Sequence, residues 1–367
     1  MGYDNMTRDA YAGVKAKVHA AGGDTSYAGK QEMKRTGKLH PLVDPAGYGL
    51  IRKSLPRYVE LADGRFHNVA GIPMPVETDF DSTGSMGENV RLAFEALPEL
   101  YDLLTTGASP VLGRYDVQIA NGIFGDMVDD FIAARTQFEM AEKIAEQLTL
   151  MVPEGGGGDS PEDPEYNLFS SAYLTEAFIR QYGLRGYHFM VTDATSHGRI
   201  DDKNLVRVFG ESVYEKVVEN GFQVSKGKLP DTKAIVKALK EYWHAFAVVV
   251  NNRSSAEYWQ EFYGVENVVL IKSTRDLPYV EAAIIGLTEG VIDLAGTAEY
   301  LVSVGCDRNK AKVLADAVSG IPVGAQVALP NFTKIPQKGM VYVNKRDLWP
   351  VAEGVAQSKE EAPSKWL

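Results

Sequence analysis

The sequence predicts an α/β protein: a doubly wound, mostly parallel six-stranded sheet with one antiparallel edge strand, carrying an N-terminal and a C-terminal extension. Three observations predict it. Residues 74–88, MPVETDFDSTGSMGE, read as a strand, an oxygen-rich loop and the start of a helix. Strand and helix patterns alternate up to about residue 290, and HAFAVVVNN and VENVVLIKS are continuous apolar runs, as in strands covered on both faces. YDVQIANGIFGDM and FIAARTQFE are separated by so short a turn, DMVDD, that they pair antiparallel.

Taken in order, residues 1–70 form the N-terminal extension. It carries the basic segment KQEMKRTGKLH and a hairpin, RYVELADGRFHNV, with Asp63-Gly64 at its tight turn. The main domain spans 71–294. In its first strand Val76, Thr78 and Phe80 alternate with polar residues, the run breaks at Asp81, and an amphipathic segment covers 90–104. After the antiparallel pair comes a helix over about 140–151, with Ile144, Leu148 and Met151 on one face. The next landmark is EGGGGDSPEDPEYN. Four glycines bring the backbone close to something, Asp159 follows, and Ser160, Pro161 and Glu162 resemble a capped helix start; a plain linker is the alternative. A helix over 171–182 leads to the fourth strand, GYHFMVT, which ends at Asp193. Helices over 202–221 and 231–243, the two apolar strands, and the helix LPYVEAAIIGLTEGVI complete the domain. Residues 295–357 hold helices around AEYLVSV and RNKAKVLADAVSGI and the extended pieces AQVALP and GMVYVNKR, and 358–367 read as a flexible tail.

Composition narrows the function. A 367-residue chain with 45% hydrophobic and 24% charged residues has an ordinary globular balance, with room for one α/β domain and a modest addition. A formal charge of -11 argues against nucleic acid as the main partner, because phosphates are neutralised by basic surface. The single cysteine, Cys306, allows no internal disulfide and no cysteine-rich metal site. No apolar run approaches the ~20 residues needed to span a bilayer. The amino terminus lacks a secretory pattern, and Met6 stands where a myristoylation signal has Ser or Thr. A cytoplasmic protein without a membrane partner is expected.

The chemistry concentrates at the carboxyl end of the first sheet strand, where ligands bind in open α/β sheets. Asp81, Thr83 and Ser85 stand at alternate positions, with Gly84 and Gly87 loosening the backbone. One carboxylate and two hydroxyls form a hard-cation donor set. With Asp159 and Asp193 at further acidic loops, DSTGSMG, FGDMVDD, GGGGDSPED and VTDATSHG resemble the von Willebrand factor A-type domain with its metal-ion-dependent adhesion site. They are most similar to the intracellular bacterial and alpha-kinase-associated branch. The resemblance covers about residues 74–290 and implies a Rossmann-like fold. It also implies one divalent cation, Mg²⁺ ahead of Ca²⁺, held by Asp81, Thr83, Ser85, Asp159 and Asp193. By family analogy the protein is a metal-dependent protein-interaction module rather than an enzyme, an adaptor whose partner is an AAA+ ATPase or a subunit of a multiprotein assembly. A structural component of a large assembly, whose cation only stabilises the fold, is the alternative. Asp159 departs from the family pattern, which has a Thr there. A third carboxylate tightens cation binding and makes the metal less receptive to a partner's acid, so the cation is expected chiefly to order the loops.

Enzymatic readings rank lower. Asp193, Ser196 and His197 offer no strained nucleophile elbow. Asp126, Asp129 and Asp130 are expected to be an acidic solvated turn rather than a second metal site, and a phosphatase-like loop needs an acid where Thr83 stands. His188, Tyr242, Trp243, Phe246 and Cys306 read as packed side chains, and no GxxxxGK[ST] loop occurs.

Overall fold

In the computed structural model, which describes residues 13, 16, 28–47, 50–106, 110–127, 133–153 and 161–349, the elements with described bounds begin with helix α1 (Ala28–Thr36) and three short strands, β1 (Arg52–Ser54), β2 (Val59–Glu60) and β3 (Phe66–His67). There follow β4 (Pro73–Asp81), α2 (Glu88–Ala96), α3 (Pro98–Thr105), β5 (Asp116–Phe124), β6 (Ala133–Arg135), α4 (Glu142–Leu148), α5 (Glu165–Tyr173), β7 (Thr175–Ala177) and β8 (Gly186–Thr192). The second half holds α6 (Asp202–Phe209), α7 (Val213–Glu219), α8 (Thr232–Tyr242), β9 (Trp243–Val250), α9 (Arg253–Tyr263), β10 (Val268–Ile271), α10 (Leu277–Thr288), α11 (Thr297–Ser303), α12 (Arg308–Ala317) and β11 (Val341–Tyr342).

Six strands form the main sheet in the order β10-β9-β8-β4-β5-β6, with every neighbouring pair parallel except the edge pair β5 and β6. β4, β5, β8 and β9 are buried at every position, so both sheet faces are covered. On one face Val76 and Phe80 join Phe94, Leu100, Val280 and Ile284 from α2, α3 and α10. On the other, Ala245, Ala247 and Val249 of β9 pack with Leu168, Leu205, Ile235 and Trp259 from α5, α6, α8 and α9. Among the described residues no helix is long and apolar enough to cross a membrane.

Local chemistry moved several expected boundaries. The segment 90–104 is two helices, because Pro98 supplies no N–H for a continuing ladder and instead starts α3. The helix expected over 171–182 begins and ends earlier, at Glu165–Tyr173, and Thr175–Ala177 pairs in parallel with Arg52–Ser54. Gly210, at φ 80°, divides 202–221 into α6 and α7. Trp243 starts β9 rather than closing the preceding helix, so Trp243 and Phe246 are strand residues. Residues 325–330 are turns, not extended: the Gly324 and Gln326 amides donate to the Leu287 and Thr288 carbonyls and satisfy the end of α10.

The two extensions meet. β2 and β3 form the expected hairpin with Gly64 at φ 78°, and β11 adds antiparallel to β3, giving a separate three-stranded sheet in the order β11-β3-β2. Leu301, Val318, Ile335, Leu348 and Trp349 share a core cluster with the main sheet.

The interior holds two tight constraints. A Cβ on Gly122 of β5 would lie 1.8 Å from Asp79 Oδ1 and 2.5 Å from Asn167 Nδ2. Gly122→Ala is therefore expected to cost about 1–3 kcal/mol of stability, read from urea unfolding. Glu281 of α10 is fully buried, with the Thr78 hydroxyl 3.0 and 3.1 Å from its two oxygens. Burial pushes its carboxyl from 4.5 up to about 8, against the Thr78 hydrogen bond, which lowers it. The unfolded chain sheds this proton first, so the stability present at low pH is lost as pH rises from the unfolded to the folded value. Glu281→Gln cannot ionise, and its stability relative to the parent is expected to rise by on the order of 3 kcal/mol between pH 5 and pH 8, measured by urea midpoints.

Candidate metal centre

The site is built where β4 and β8 end side by side. β4 runs parallel to β8 with Phe80 opposite Val191, which brings Asp81 and Thr192, one step further along each strand, to the same sheet edge. Beyond Asp81 the chain turns sharply: the Ser82 amide and hydroxyl both donate to the Phe124 carbonyl, at 2.9 and 3.0 Å. The Thr83 amide and hydroxyl both donate to Asp81 Oδ1, at 2.9 and 2.6 Å. Gly87, at φ 51°, then starts α2.

The second oxygen of Asp81 accepts from the Thr192 hydroxyl at 2.8 Å, and Thr192 Oγ1 in turn accepts from the Ala194 amide at 3.0 Å. Ser85 donates its hydroxyl to Asp193 Oδ1 at 2.8 Å, and its oxygen lies 3.3 Å from Thr83 Oγ1. Four of the expected residues, Asp81, Thr83, Ser85 and Asp193, thus form one chain of oxygen contacts across two loops. Asp193 is held from behind: Asn252 Nδ2 and Ser255 Oγ donate to its backbone carbonyl at 2.7 and 2.9 Å, and Trp259 Nε1 donates to the Ala194 carbonyl at 2.9 Å.

The electrostatics are one-sided. Asp81 is fully buried, and burial pushes its carboxyl up to about 6; the Thr83 and Thr192 hydrogen bonds lower it, and the Asp193 charge raises it again. No Lys, Arg or His among the described residues forms an ion pair with Asp81 or Asp193. Two carboxylates and three hydroxyls gather without a basic partner, while Ser85 is exposed and Asp193 half-buried. That donor set suits a hard cation approaching from solvent. It contains too few acids to form a cluster of three His, Cys, Asp or Glu side chains, and among the described residues no such cluster capable of holding a metal occurs.

Asp159 and the glycine run 155–158 lie outside the described residues, as do Asp129 and Asp130. Asp126, expected in a solvated turn, is instead fully buried, since the loop after β5 folds under the start of α5, with the Gly125 carbonyl accepting from the Asp163 amide. Ser196 and His197 do not face each other: Ser196 Oγ lies 2.9 Å from the Tyr258 hydroxyl, and His197 Nδ1 lies 3.3 Å from Asp163 Oδ1. His188 is a packed side chain, with Nε2 3.1 Å from Asp79 Oδ2. Thr192 and Asn252 escaped the sequence reading. Thr192 looks like the last β-branched residue of a strand, and only pairing with β4 brings it to Asp81.

No family model matches the chain. Over 71 residues it is 37% identical to a glyoxylate reductase of Thermococcus kodakarensis and 35% identical to one of Thermococcus onnurineus, a stretch covering 19% of this chain and 20% of each relative. The chain therefore spans about a fifth of the length of these relatives. Among solved structures it is similar to proximal thread matrix protein 1 from the mussel byssus, at 14% identity over 60% of this chain and 46% of that one, TM-score 0.39. It is also similar to the pilus adhesin SpaC of Lactobacillus rhamnosus GG, at 10% identity over 68% and 31%, TM-score 0.38. A von Willebrand factor type A protein from Catenulispora acidiphila matches at 12% identity over 65% and 51%, TM-score 0.35. The chain spans about half or less of these solved chains, and likenesses this distant decide nothing about the site.

Thr192 offers a test of the geometry. Thr192→Val keeps the shape but leaves one oxygen of buried Asp81 and the Ala194 amide without their partner. A stability loss of about 1–3 kcal/mol is expected in chemical denaturation.

Proposed function

We propose that the chain is a metal-dependent protein-interaction module of the von Willebrand factor A type. The observation that carries the reading is the convergence of Asp81, Thr83, Ser85 and Asp193 from two strand ends, with no basic side chain among the described residues pairing with the two carboxylates. These residues, with Asp159, would hold one divalent cation, Mg²⁺ ahead of Ca²⁺. A small set of carboxylates and hydroxyls suits an ion that keeps several of its own waters. The bound cation supplies charge to the loops and a contact point at the exposed Ser85 side. The chain's own part is to fix Asp81 from behind through Thr192 and to fix the Asp193 backbone through Asn252 and Ser255.

The module acts by binding rather than turnover. Ser196 and His197 each bond elsewhere, and the groups that accept from the hydroxyls of Thr83 and Ser85 are the two carboxylates of the candidate cation site, Asp81 and Asp193. The partner is a protein, an AAA+ ATPase or an assembly subunit, and the setting is cytoplasmic. This part rests on the motif resemblance. A second reading, an assembly component whose extensions make the contacts, draws on the three-stranded sheet, where Val59, Met340, Val341 and Val343 are exposed.

Calorimetric titration of Mg²⁺ and Ca²⁺ into the intact protein and into Asp81→Ala tests the cation. Saturable binding is expected, weakened at least tenfold by the substitution, and Asp159→Thr is expected to weaken it by a smaller factor. Binding unchanged in Asp81→Ala would overturn the site. Affinity capture from the host, with parent and Asp81→Ala chains and with chelator, tests the function. Partners lost on chelation while circular dichroism shows the fold retained are the expected result. Partners retained in both conditions would move the contacts to the extensions.

A further inference from the structure

At the opposite end of the sheet from Asp81, a cleft of about 180 Å³ opens beside the start of β9. Its existence follows from strand register. β9 begins at Trp243, but β10 begins only at Val268, opposite Ala247, so residues 243–246 of β9 have a strand neighbour on the β8 side alone. Arg185, just before β8, and Lys240, in the last turn of α8, line the gap, with Asn267 and Thr288 across it and Pro322 and Ala325 of the C-terminal segment at its border.

The charge of this cleft contrasts with that of the molecule. The chain carries 49 acidic against 38 basic residues, yet the lining contains two cations and no carboxylate. The guanidinium of Arg185 has no hydrogen-bond or ion-pair partner among the described residues; only the backbone of Arg185 is bonded. Lys240 Nζ donates once, to the Tyr263 carbonyl at 2.8 Å, and keeps two donors free. Asn267 and Thr288 donate to the backbone carbonyls of Tyr263 and Ile284, so they shape the wall.

The backbone of Arg185 is held in place. Gln326 Nε2 donates to the Arg185 carbonyl at 2.9 Å, Gln326 Oε1 accepts from the Arg185 amide at 3.4 Å, and the same oxygen lies 2.9 Å from His244 Nε2. Burial holds the His244 imidazole down at about 4, so it is neutral and orients Gln326 without adding charge. An unpaired guanidinium on an anchored stretch of backbone, beside a second cation, is an arrangement for an oxyanion.

We propose that this cleft binds a phosphate group, free or carried on a small molecule. A phosphate bears about -1.5 to -2 charges at neutral pH, which matches the two cations, whereas a carboxylate matches one. The volume falls below the ~300–1,000 Å³ of sites for larger organic ligands, so the phosphate itself is the recognised unit. The site lies at the other pole from the candidate metal centre and does not depend on it.

The test is thermal denaturation and calorimetry of the full chain in a chelating buffer, with inorganic phosphate, glycerol 3-phosphate, or sodium chloride at matched ionic strength. A saturable rise in Tm with phosphate or its ester, absent with chloride, is expected. Arg185→Gln and Lys240→Gln are each expected to weaken it at least tenfold, and Lys312→Gln, a change of equal charge on an exposed helix position, to leave it unaltered. The tighter of the two probes identifies a free or an esterified ligand. No saturable response to either probe, or equal binding by Arg185→Gln and the parent, would overturn the proposal.

Discussion

Three carboxylates on one face of a fully buried strand are the constraint on which this structure turns. Glu77, Asp79 and Asp81 occupy alternate positions of β4, and all three are completely buried. Alternation puts them on the same side of the sheet, opposite Val76, Thr78 and Phe80. A buried carboxylate without partners costs several kcal/mol, so each position must recruit its own. Glu77 takes a bidentate grip from Arg135 of β6. Asp79 takes Asn167 and Ser171 of α5 and His188 of β8. Asp81, among the described residues, takes Thr83 and Thr192. Moving along the strand, the compensation passes from a full opposite charge to amide and imidazole, and finally to hydroxyls and one amide.

The first two positions explain much of the surrounding architecture. Arg135 lies on a three-residue edge strand that has little backbone pairing of its own, and the grip on Glu77 ties that strand to a residue two strands away. The same guanidinium donates to Thr175 of β7 at 2.6 Å, and β7 pairs with β1. Arg52 of β1 closes the circuit by donating to the Arg135 carbonyl at 3.2 Å and the Asp44 carbonyl at 2.7 Å. The N-terminal extension is therefore bound through the charge network of the sheet as well as through apolar contact. Asp79 does the equivalent for α5, whose Asn167 and Ser171 reach inward, and Gly122 is the cost of that approach: the neighbouring strand gives up its side chain to admit the carboxylate and amide.

Much of this was legible in the sequence. The alternation of 76, 78 and 80 with polar residues identified β4, the apolar runs identified β9 and β10, and the short turn after β5 identified the antiparallel edge. The oxygen donors after Asp81 and the acid at 193 were also visible, because strand ends mark themselves by a break in hydrophobic pattern. What could not be read was the burial of the polar face. Alternation ordinarily indicates a half-exposed strand, and nothing local distinguishes a solvated Glu77 from one that meets Arg135, 58 residues away. Thr192 and Asn252 were hidden for the same reason, since their role appears only when parallel strands are aligned. The helix boundaries at Pro98 and Gly210 depended on residues plainly present in the sequence, and apolar periodicity outweighed them in the reading.

The end of the carboxylate row differs from its beginning in a way that gives the sheet an acidic pole. At Glu77 the protein completes the charge balance internally, leaving nothing for a ligand to add. At Asp81 hydrogen-bond donors fill both oxygens, but no described residue supplies an opposite charge and a second carboxylate, Asp193, is placed beside it. The two are not equivalent. Asp81 is sealed and fixed on both oxygens, while Asp193 is fixed only through its backbone, with its carboxylate reaching Ser85 at the surface. A rigid inner acid with an outer acid open to solvent sets a position without closing it. The remaining demand for positive charge is therefore directed outward, where a cation, and whatever approaches with it, can meet it.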